Sequence, residues 1–169
     1  MTLVVPFDGS ELAEAALVRA TEFAVVFEEN VLAVSVVPKN NAEYARERGW
    51  LGSETEYDLN DIVGDLHQQV TNLAPQADFR HEVADRHATP GTISNTVRKV
   101  AKRADASMVF VGSENAGRLV TGISSVGGNI ATDEAYDVVI VRDRSPAKVA
   151  KLKDTSPHHR SKSDFYAGD

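Results

Sequence analysis

Short apolar runs alternate with segments of helical period along the first 141 residues of the chain. Five runs of four to seven residues consist largely of Val, Ile, Leu, Phe and Ala, which favours buried strands. They span Leu3–Pro6, Val31–Val37, Phe79–Ala84, Met108–Val111 and Val138–Val141. Arg80 and Glu82 interrupt the third run, which therefore predicts a strand near an edge of the sheet.

Between these runs, apolar residues recur every three or four positions, the period of an amphipathic helix. The stripes span Ala13–Phe27, Leu59–Leu73 and Ile93–Ala104. Ser10 is expected to cap the first helix, and a further short helix is expected from about Ser125. The alternation predicts an α/β fold of three layers, with helices on both faces of a parallel sheet. In such sheets ligands bind at the carboxyl ends of the strands, where the winding changes direction.

Two segments fall outside this alternation. Lys39–Glu56 is polar and aperiodic, which predicts a long connection. Tyr44 and Trp50 within it are expected to cover the core, with a partner surface as the alternative. Residues 145–169 are rich in Ser, Pro, His, Lys and Asp, which predicts a flexible tail after a single domain over residues 1–144.

Composition and charge narrow the classes of function. The 169 residues fit one domain, and the lack of Cys excludes disulfides, thiolate nucleophiles and zinc–thiolate sites. The net charge is −7, and residues 1–144 alone carry −9, which disfavours nucleic-acid and membrane partners. The opening run favours a strand over a signal peptide, and no apolar run approaches the roughly 20 residues of a membrane span. We therefore expect a cytoplasmic protein.

The histidines do not predict a metal site. His81 and His87 flank a loop without a Cys or a paired carboxylate at ligand spacing, so a structural role is expected for both. His158 and His159 are adjacent in the polar tail, where neighbouring side chains do not preorganise a coordination sphere.

Three stretches resemble universal stress proteins of the UspA-like family. The opening stretch Val4–Glu11 (VVPFDGSE) is similar to the family's apolar strand ending in Pro-x-Asp-x-Ser. Thr89–Ile93 (TPGTI) resembles the family's turn into a helix. The layout from Val109–Ser113 through Ser124–Val126 to Val138–Val141 also resembles that of the family. The resemblance covers residues 1–144.

The resemblance implies a fold and an assembly. It implies a five-stranded parallel sheet in the order 3-2-1-4-5, of the Rossmann-like, nucleotide-binding α-hydrolase type. It also implies a homodimer in the stress response. Val138–Arg142 is expected to form the dimer interface, because this last apolar strand has no later element to cover its edge.

One subclass of the family binds ATP through a loop of pattern G-x2-G-x9-G-[S/T], and this chain keeps the pattern only in part. Gly112 matches the first glycine, but Asn115 stands where the second belongs. Eight residues then lead to Ser124 in place of the third glycine, and Ser125 matches the final hydroxyl. Glycines let backbone amides approach phosphates closely. We therefore expect weak or absent ATP binding, with a small anion near Ser124 and Ser125, and Mg²⁺ only if ATP binds.

Carried over position by position, the resemblance implies a set of nucleotide-binding residues. Pro6 and Asp8 would lie at the ribose, and Val36 would offer backbone groups to adenine. The remaining positions would form the two walls of the phosphate loop: Val111, Gly112, Ser113 and Asn115 on one side, and Ser124, Ser125 and Val126 on the other. For Asp8, a simple cap of the first helix is an equal alternative.

The favoured function is a regulatory binding module that senses an adenine nucleotide, with an unidentified protein partner. The alternative is an ATP-binding protein with slow ATP hydrolysis or nucleotide transfer. The loop supplies Arg118 but no Lys to clamp phosphates, so no catalytic residue is assigned. A phosphoacceptor receiver domain is the third possibility, but Asp8 stands alone after the first strand and the last strand ends in Arg142.

Overall fold

The computed structural model describes residues 1–112 and 136–143 of the chain. Within these ranges the strands are β1 (Thr2–Pro6), β2 (Asn30–Pro38), β3 (Asp78–Ala84), β4 (Ala106–Gly112) and β5 (Asp137–Val141). The helices are α1 (Glu11–Phe27), α2 (Ala42–Glu47), α3 (Leu59–Leu73) and α4 (Pro90–Arg103). The short helix expected from about Ser125 and the tail expected over residues 145–169 lie outside the described ranges. None of the helices in the described part is long and apolar enough to cross a membrane.

The five strands form one parallel sheet in the order β3-β2-β1-β4-β5, which confirms the predicted order. β1 is central: Val4 lies opposite Leu32 of β2 and opposite Val109 of β4. The chain winds outward from β1 to β3 and then returns to β4 on the other side of β1. The carboxyl ends of β1 and β4 therefore flank the point where the winding reverses, the usual position of a ligand crevice in such sheets.

Helices cover both faces of the sheet, as the sequence pattern predicts. Buried residues of α1 and α3, among them Leu17 and Ile62, form one core with the facing side chains of the strands. Val97 and Val100 of α4 belong to a second core on the opposite face. Strands buried on both faces need apolar side chains at nearly every position, and β2 meets this requirement.

The ends of the long helices follow from local sequence. Ser10 caps α1 as predicted, its Oγ accepting a hydrogen bond from the Ala13 N–H at 3.2 Å. Asp58 caps α3 and Thr89 caps α4, which begins with Pro90. These side chains satisfy amide donors that have no partner within the helix, and Pro costs nothing at a first helical position.

Phe27 departs from the sequence-based prediction. The stripe assigned it to the buried face of α1, but it is 50% exposed. A helix of 17 residues is about 25 Å long, whereas the five residues of β1 extend about 17 Å, so the last turn of α1 passes the end of the central strand. Phe27 there contacts the ring of Phe23, with 5.9 Å between the ring centroids.

The connection predicted over Lys39–Glu56 contains a helix that the sequence pattern did not show. α2 has only six residues, fewer than two turns, so it carries no recognisable hydrophobic period. It begins at Asn41, whose Oδ1 accepts a hydrogen bond from the Tyr44 N–H at 3.0 Å. The Asn41 side-chain amide also donates to the Arg86 carbonyl at 2.6 Å, which ties this connection to the turn after β3.

Candidate functional site

The carboxyl end of β1 is fixed by contacts with β2. The Phe7 N–H donates to the Val34 carbonyl at 2.7 Å, just beyond the last β1–β2 pair. The hydroxyl of Ser35, fully buried in β2, donates to the Phe7 carbonyl at 2.6 Å. Both contacts hold the chain between Pro6 and Asp8 at the switch point. Ser35 was missed in the sequence analysis, although a single hydroxyl in an otherwise apolar strand is a usable signal, since a buried hydroxyl needs a partner.

Gly112 ends β4 beside this position and packs against α1. A Cβ at Gly112 would lie 2.8 Å from the Leu12 Cβ, which is too short for a real contact, and 3.1 Å from the Leu12 carbonyl carbon, which is unusually tight. The missing side chain therefore lets the first turn of α1 approach β4 closely. This packing requirement is a structural reason for Gly112, in addition to the role implied in a phosphate loop.

Val36 has a buried side chain, so only its backbone groups can face a ligand. The side chain is buried in the core beneath α4. Backbone directions in a strand alternate with a period of two, so the N–H and C=O of Val36 point the same way as those of Val34, whose carbonyl faces Phe7. Since the last paired residue of β1 is Pro6, opposite Val34, the polar backbone groups of Val36 point into the space beyond the end of β1.

Asp8 lies two residues after the end of β1, at the switch point of the sheet, and is engaged by its own chain. Oδ1 accepts a hydrogen bond from the Ser10 N–H at 3.0 Å, and Oδ2 forms an ion pair with Arg48 Nη1 at 2.9 Å. The Asp8 carbonyl accepts a hydrogen bond from Trp50 Nε1 at 2.7 Å. Ser10, not Asp8, provides the N-cap of α1. The simple cap expected as an alternative for Asp8 is therefore replaced by a link to the connection after β2.

This connection folds over the carboxyl end of the sheet, and we call residues 41–50 the strap. The Arg48 guanidinium lies 4.9 Å from the centre of the Tyr44 ring, which in turn meets the Trp50 ring edge-on at 5.6 Å between centroids. Burial is the largest influence on the Tyr44 hydroxyl and raises its pKa, whereas the positive charge of Arg48 acts in the opposite direction. Trp50 packs against the core, as predicted, and Tyr44 contacts the Trp50 ring.

Arg48 and Gln69 also approach the site but were not identified from the sequence. Arg48 contacts a residue 40 positions earlier, and Gln69 of α3 donates to the Gly9 carbonyl at 3.0 Å across 60 positions. Neither contact leaves a local sequence signal. Gly9 has a φ of +82°, a conformation that glycine adopts without strain. The hydrogen bond from Gln69 therefore holds a left-handed turn next to Asp8.

An acidic depression of about 470 Å³ lies on the far side of Trp50. Its wall includes the carboxylates of Glu56, Asp58, Asp61 and Asp65. Asp58 is already used to cap α3. This wall repels phosphate groups, which favours the β4 side of Asp8 for an anionic ligand. Within the described ranges no group of His, Asp and Glu is arranged to hold a metal ion.

The structure thus brings one part of the predicted site together. Pro6, Asp8, Val36, Val111 and Gly112 lie at the carboxyl edge of the sheet, on β1, β2 and β4 and just after β1. The other predicted positions lie outside the described residues; they are Ser113, Asn115, Ser124, Ser125 and Val126.

A five-stranded parallel sheet in the order β3-β2-β1-β4-β5 with helices on both faces defines a doubly wound, Rossmann-like class of α/β fold. The profile of the universal stress protein family matches residues 1–142, and the chain belongs to this family. A search of curated proteins finds no significant match.

Solved structures of the same family share the fold. A universal stress protein in complex with cAMP is 22% identical with a TM-score of 0.56, and the match covers 84% of this chain and 97% of that one. The hypothetical protein MJ0577 is 16% identical with a TM-score of 0.58, over 85% of this chain and 96% of that one. The UspA protein of Lactobacillus plantarum is 17% identical with a TM-score of 0.52, over 84% and 97% of the two chains. At these identities the likeness establishes the fold.

Proposed function

We propose that the chain is a regulatory module that binds an adenine nucleotide at the crevice between β1, β2 and β4. The observation that carries this proposal is the convergence of the Asp8 carboxylate, the Val36 backbone and the end of β4 at the switch point. Membership of the universal stress protein family supports it. A structural neighbour bound to cAMP supports an adenine nucleotide as the class of ligand.

In this proposal the base, sugar and phosphate lie along the edge of the sheet. The Val36 N–H and C=O pair with the polar edge of adenine beyond the end of β1. Asp8, whose side chain is 19% exposed, accepts hydrogen bonds from ribose hydroxyls. The phosphate follows β4 past Gly112, away from the acidic depression beside Trp50.

ATP is the weaker ligand in this proposal. Asn115 and Ser124 replace two glycines of the family's ATP-binding pattern, and each added side chain keeps phosphate away from backbone amides. A lost charge-assisted hydrogen bond weakens binding by about 1.5–3 kcal/mol, so two losses correspond to roughly a hundredfold or more. Glu11 and Glu14 in the first turn of α1 add negative charge near the crevice. These features lower the affinity least for a nucleotide with a single phosphate.

Calorimetric titration with AMP, cAMP and Mg-ATP tests the proposal. We expect AMP or cAMP to bind more tightly than Mg-ATP. The test variant is Asp8→Asn, which removes the negative charge and one of the two acceptor oxygens offered to the ribose, and the matched control is Glu11→Gln, which removes the same charge from the exposed first turn of α1. We expect binding to be weakened by Asp8→Asn and retained in Glu11→Gln. The absence of any nucleotide binding, or equal binding by both variants, would contradict the proposed site.

We also propose that the module is a homodimer that pairs through β5, over Val138–Arg142. β5 is an edge strand that pairs with β4, and Ile140 in it is 42% exposed. An exposed apolar edge can add a strand from a second copy of the chain. The cytoplasm and the stress response remain the expected setting, with a protein partner that receives the signal.

A further inference from the structure

In the proposed function the Asp8 carboxylate binds ribose hydroxyls, but both of its oxygens already have partners within the chain. We propose that Arg48 acts as an internal latch, competing with ribose hydroxyls for the Asp8 carboxylate and thereby setting the affinity of the site. This inference rests on the proposed function, because it concerns regulation of the same crevice.

The contacts of Asp8 define the competition. Its Oδ1 accepts from the Ser10 N–H, and this contact belongs to the turn that starts α1. Its Oδ2 is held by Arg48 Nη1 at 2.9 Å. A sugar with two neighbouring hydroxyls binds a carboxylate best through both oxygens, so full use of Asp8 requires that Arg48 release Oδ2.

The ion pair between Arg48 and Asp8 is the contact of the strap that a ligand can break most easily. The Arg48 side chain is 36% exposed, and an exposed ion pair of this kind is weak, so a ligand can displace it. Arg48 is the C-terminal cap of α2, a helix of six residues that is too short to be stable without tertiary contacts. The neighbouring anchor is firmer, because Trp50 packs against the core and donates to the Asp8 carbonyl at 2.7 Å. The geometry therefore allows the Arg48 side chain to swing away while Trp50 keeps the strap in place.

The test uses Arg48→Met in the full chain, with Arg46→Met as the matched control. Met keeps an unbranched side chain against Tyr44 but cannot donate to Asp8. Arg46 lies on the same helix and carries the same charge, but its guanidinium bonds the Gly52 and Thr55 carbonyls. Trp50 is the single tryptophan of the chain, so its indole N–H gives one assignable NMR signal beside Asp8. Its shift during titration measures even weak dissociation constants.

The ligands are adenosine and adenine. Adenosine is uncharged, so removing a cation changes its affinity only through Asp8. Adenine lacks the ribose and serves as the control ligand. We expect Arg48→Met to bind adenosine about two- to fivefold more tightly than the native chain, the range expected when an exposed ion pair no longer competes. We expect Arg46→Met to match the native chain, and adenine to bind all three proteins equally.

Each outcome separates the latch from the proposed function. Tighter adenosine binding by Arg48→Met, or binding by that variant alone, supports the latch. Equal or weaker adenosine binding by Arg48→Met, with the native chain still binding, overturns the latch and leaves the proposed function in place. The absence of binding by every protein overturns both. Equal gains for adenine and adenosine would also overturn the latch, because they would not involve the ribose. Circular dichroism of both variants checks that they are folded, and Arg48→Gln, which keeps a polar side chain, replaces Arg48→Met if the latter is not.

Discussion

Single residues of β2 and β4 fix the geometry at the carboxyl edge of the sheet, where β1, β4 and α1 approach one another. Gly112 allows contact with Leu12, and Ser35 holds the Phe7 carbonyl from within a buried strand. Both residues support the architecture of the site, Gly112 in addition to the role in phosphate binding that the resemblance implies. Their loss is therefore expected to change stability.

Gly112→Ala is expected to destabilise the fold. The added Cβ would lie 2.8 Å from the Leu12 Cβ and must displace α1, and overpacking of this kind costs about 1–3 kcal/mol. Gly64→Ala is the matched control: Gly64 lies within α3 with no atom within 4 Å of the new Cβ, so this variant should gain about 0.5–1 kcal/mol from helix propensity. Urea unfolding measures both. Unchanged stability of Gly112→Ala would show that α1 does not require this close approach.

Ser35→Ala is expected to cost about 1–3 kcal/mol, because the Phe7 carbonyl loses its partner in a buried position. Thr96→Ala is the control: the Thr96 hydroxyl makes an exposed bond to the Thr92 carbonyl, and its removal should change stability by less than about 0.5 kcal/mol. Thermal unfolding measures the stability of both variants relative to the native chain. A Ser35→Ala loss no greater than that of Thr96→Ala would mean that the end of β1 is fixed by the sheet alone.

At the scale of elements, the strap is the part of the described structure that departs most from a plain strand–helix alternation. α2 is short, and its position depends on side-chain contacts at both ends: Asn41 with the Arg86 carbonyl, and Trp50 with the Asp8 carbonyl. A short helix held in this way opens at a lower free energy than the core helices. The strap is accordingly the element through which we propose that binding at Asp8 is regulated.

Asn41→Ala is expected to loosen the strap without unfolding the domain. The variant removes the N-cap of α2 and the bond to Arg86. The free energy of local opening of the strap should therefore fall by roughly 1–2 kcal/mol, while the global stability changes less. Hydrogen exchange of the Trp50 indole N–H should become faster, while amides in β1 remain protected. Asn72→Ala on the exposed surface of α3 serves as the control and should leave the indole exchange unchanged. Equal exchange in native protein and Asn41→Ala would show that α2 is held by other contacts.

At the scale of the whole molecule, the sheet has two edges of different character. β3 presents Arg80 and Glu82 along one edge, and charged side chains discourage pairing with another strand. β5 presents the apolar run Val138–Val141 at the other edge. This asymmetry supports assembly through β5 rather than β3.

Ile140→Lys is expected to weaken the proposed dimer at least tenfold, because a charge is placed in an apolar interface. Val83→Lys is the matched control, since Val83 is 46% exposed on the opposite edge strand and Ile140 is 42% exposed. Sedimentation equilibrium of the native chain and both variants measures the dissociation constant. A native chain that remains monomeric at high micromolar concentration, or equal weakening by both variants, would contradict pairing through β5.

The sequence by itself determined the five strands, the three long helices and their order along the chain. Period-two and period-3.6 patterns act over a few neighbouring residues, and so α3 begins and ends at the predicted Leu59 and Leu73 and the capping role of Ser10 is visible. The resemblance to the family then implied the sheet order, which the structure confirms, and the positions of Pro6, Asp8, Val36 and Gly112.

Only the tertiary structure decided what those residues contact. The Arg48–Asp8 ion pair, the Gln69 bond to Gly9 and the packing of Gly112 on Leu12 each join residues 40 to 100 positions apart. Such contacts depend on the path of the whole chain, which a local pattern does not encode, and α2 is too short to produce a pattern at all. The sequence pattern and the family resemblance therefore predicted the edge of the sheet at which a ligand is expected, and the folded chain decided that Asp8 at this edge is held by Arg48.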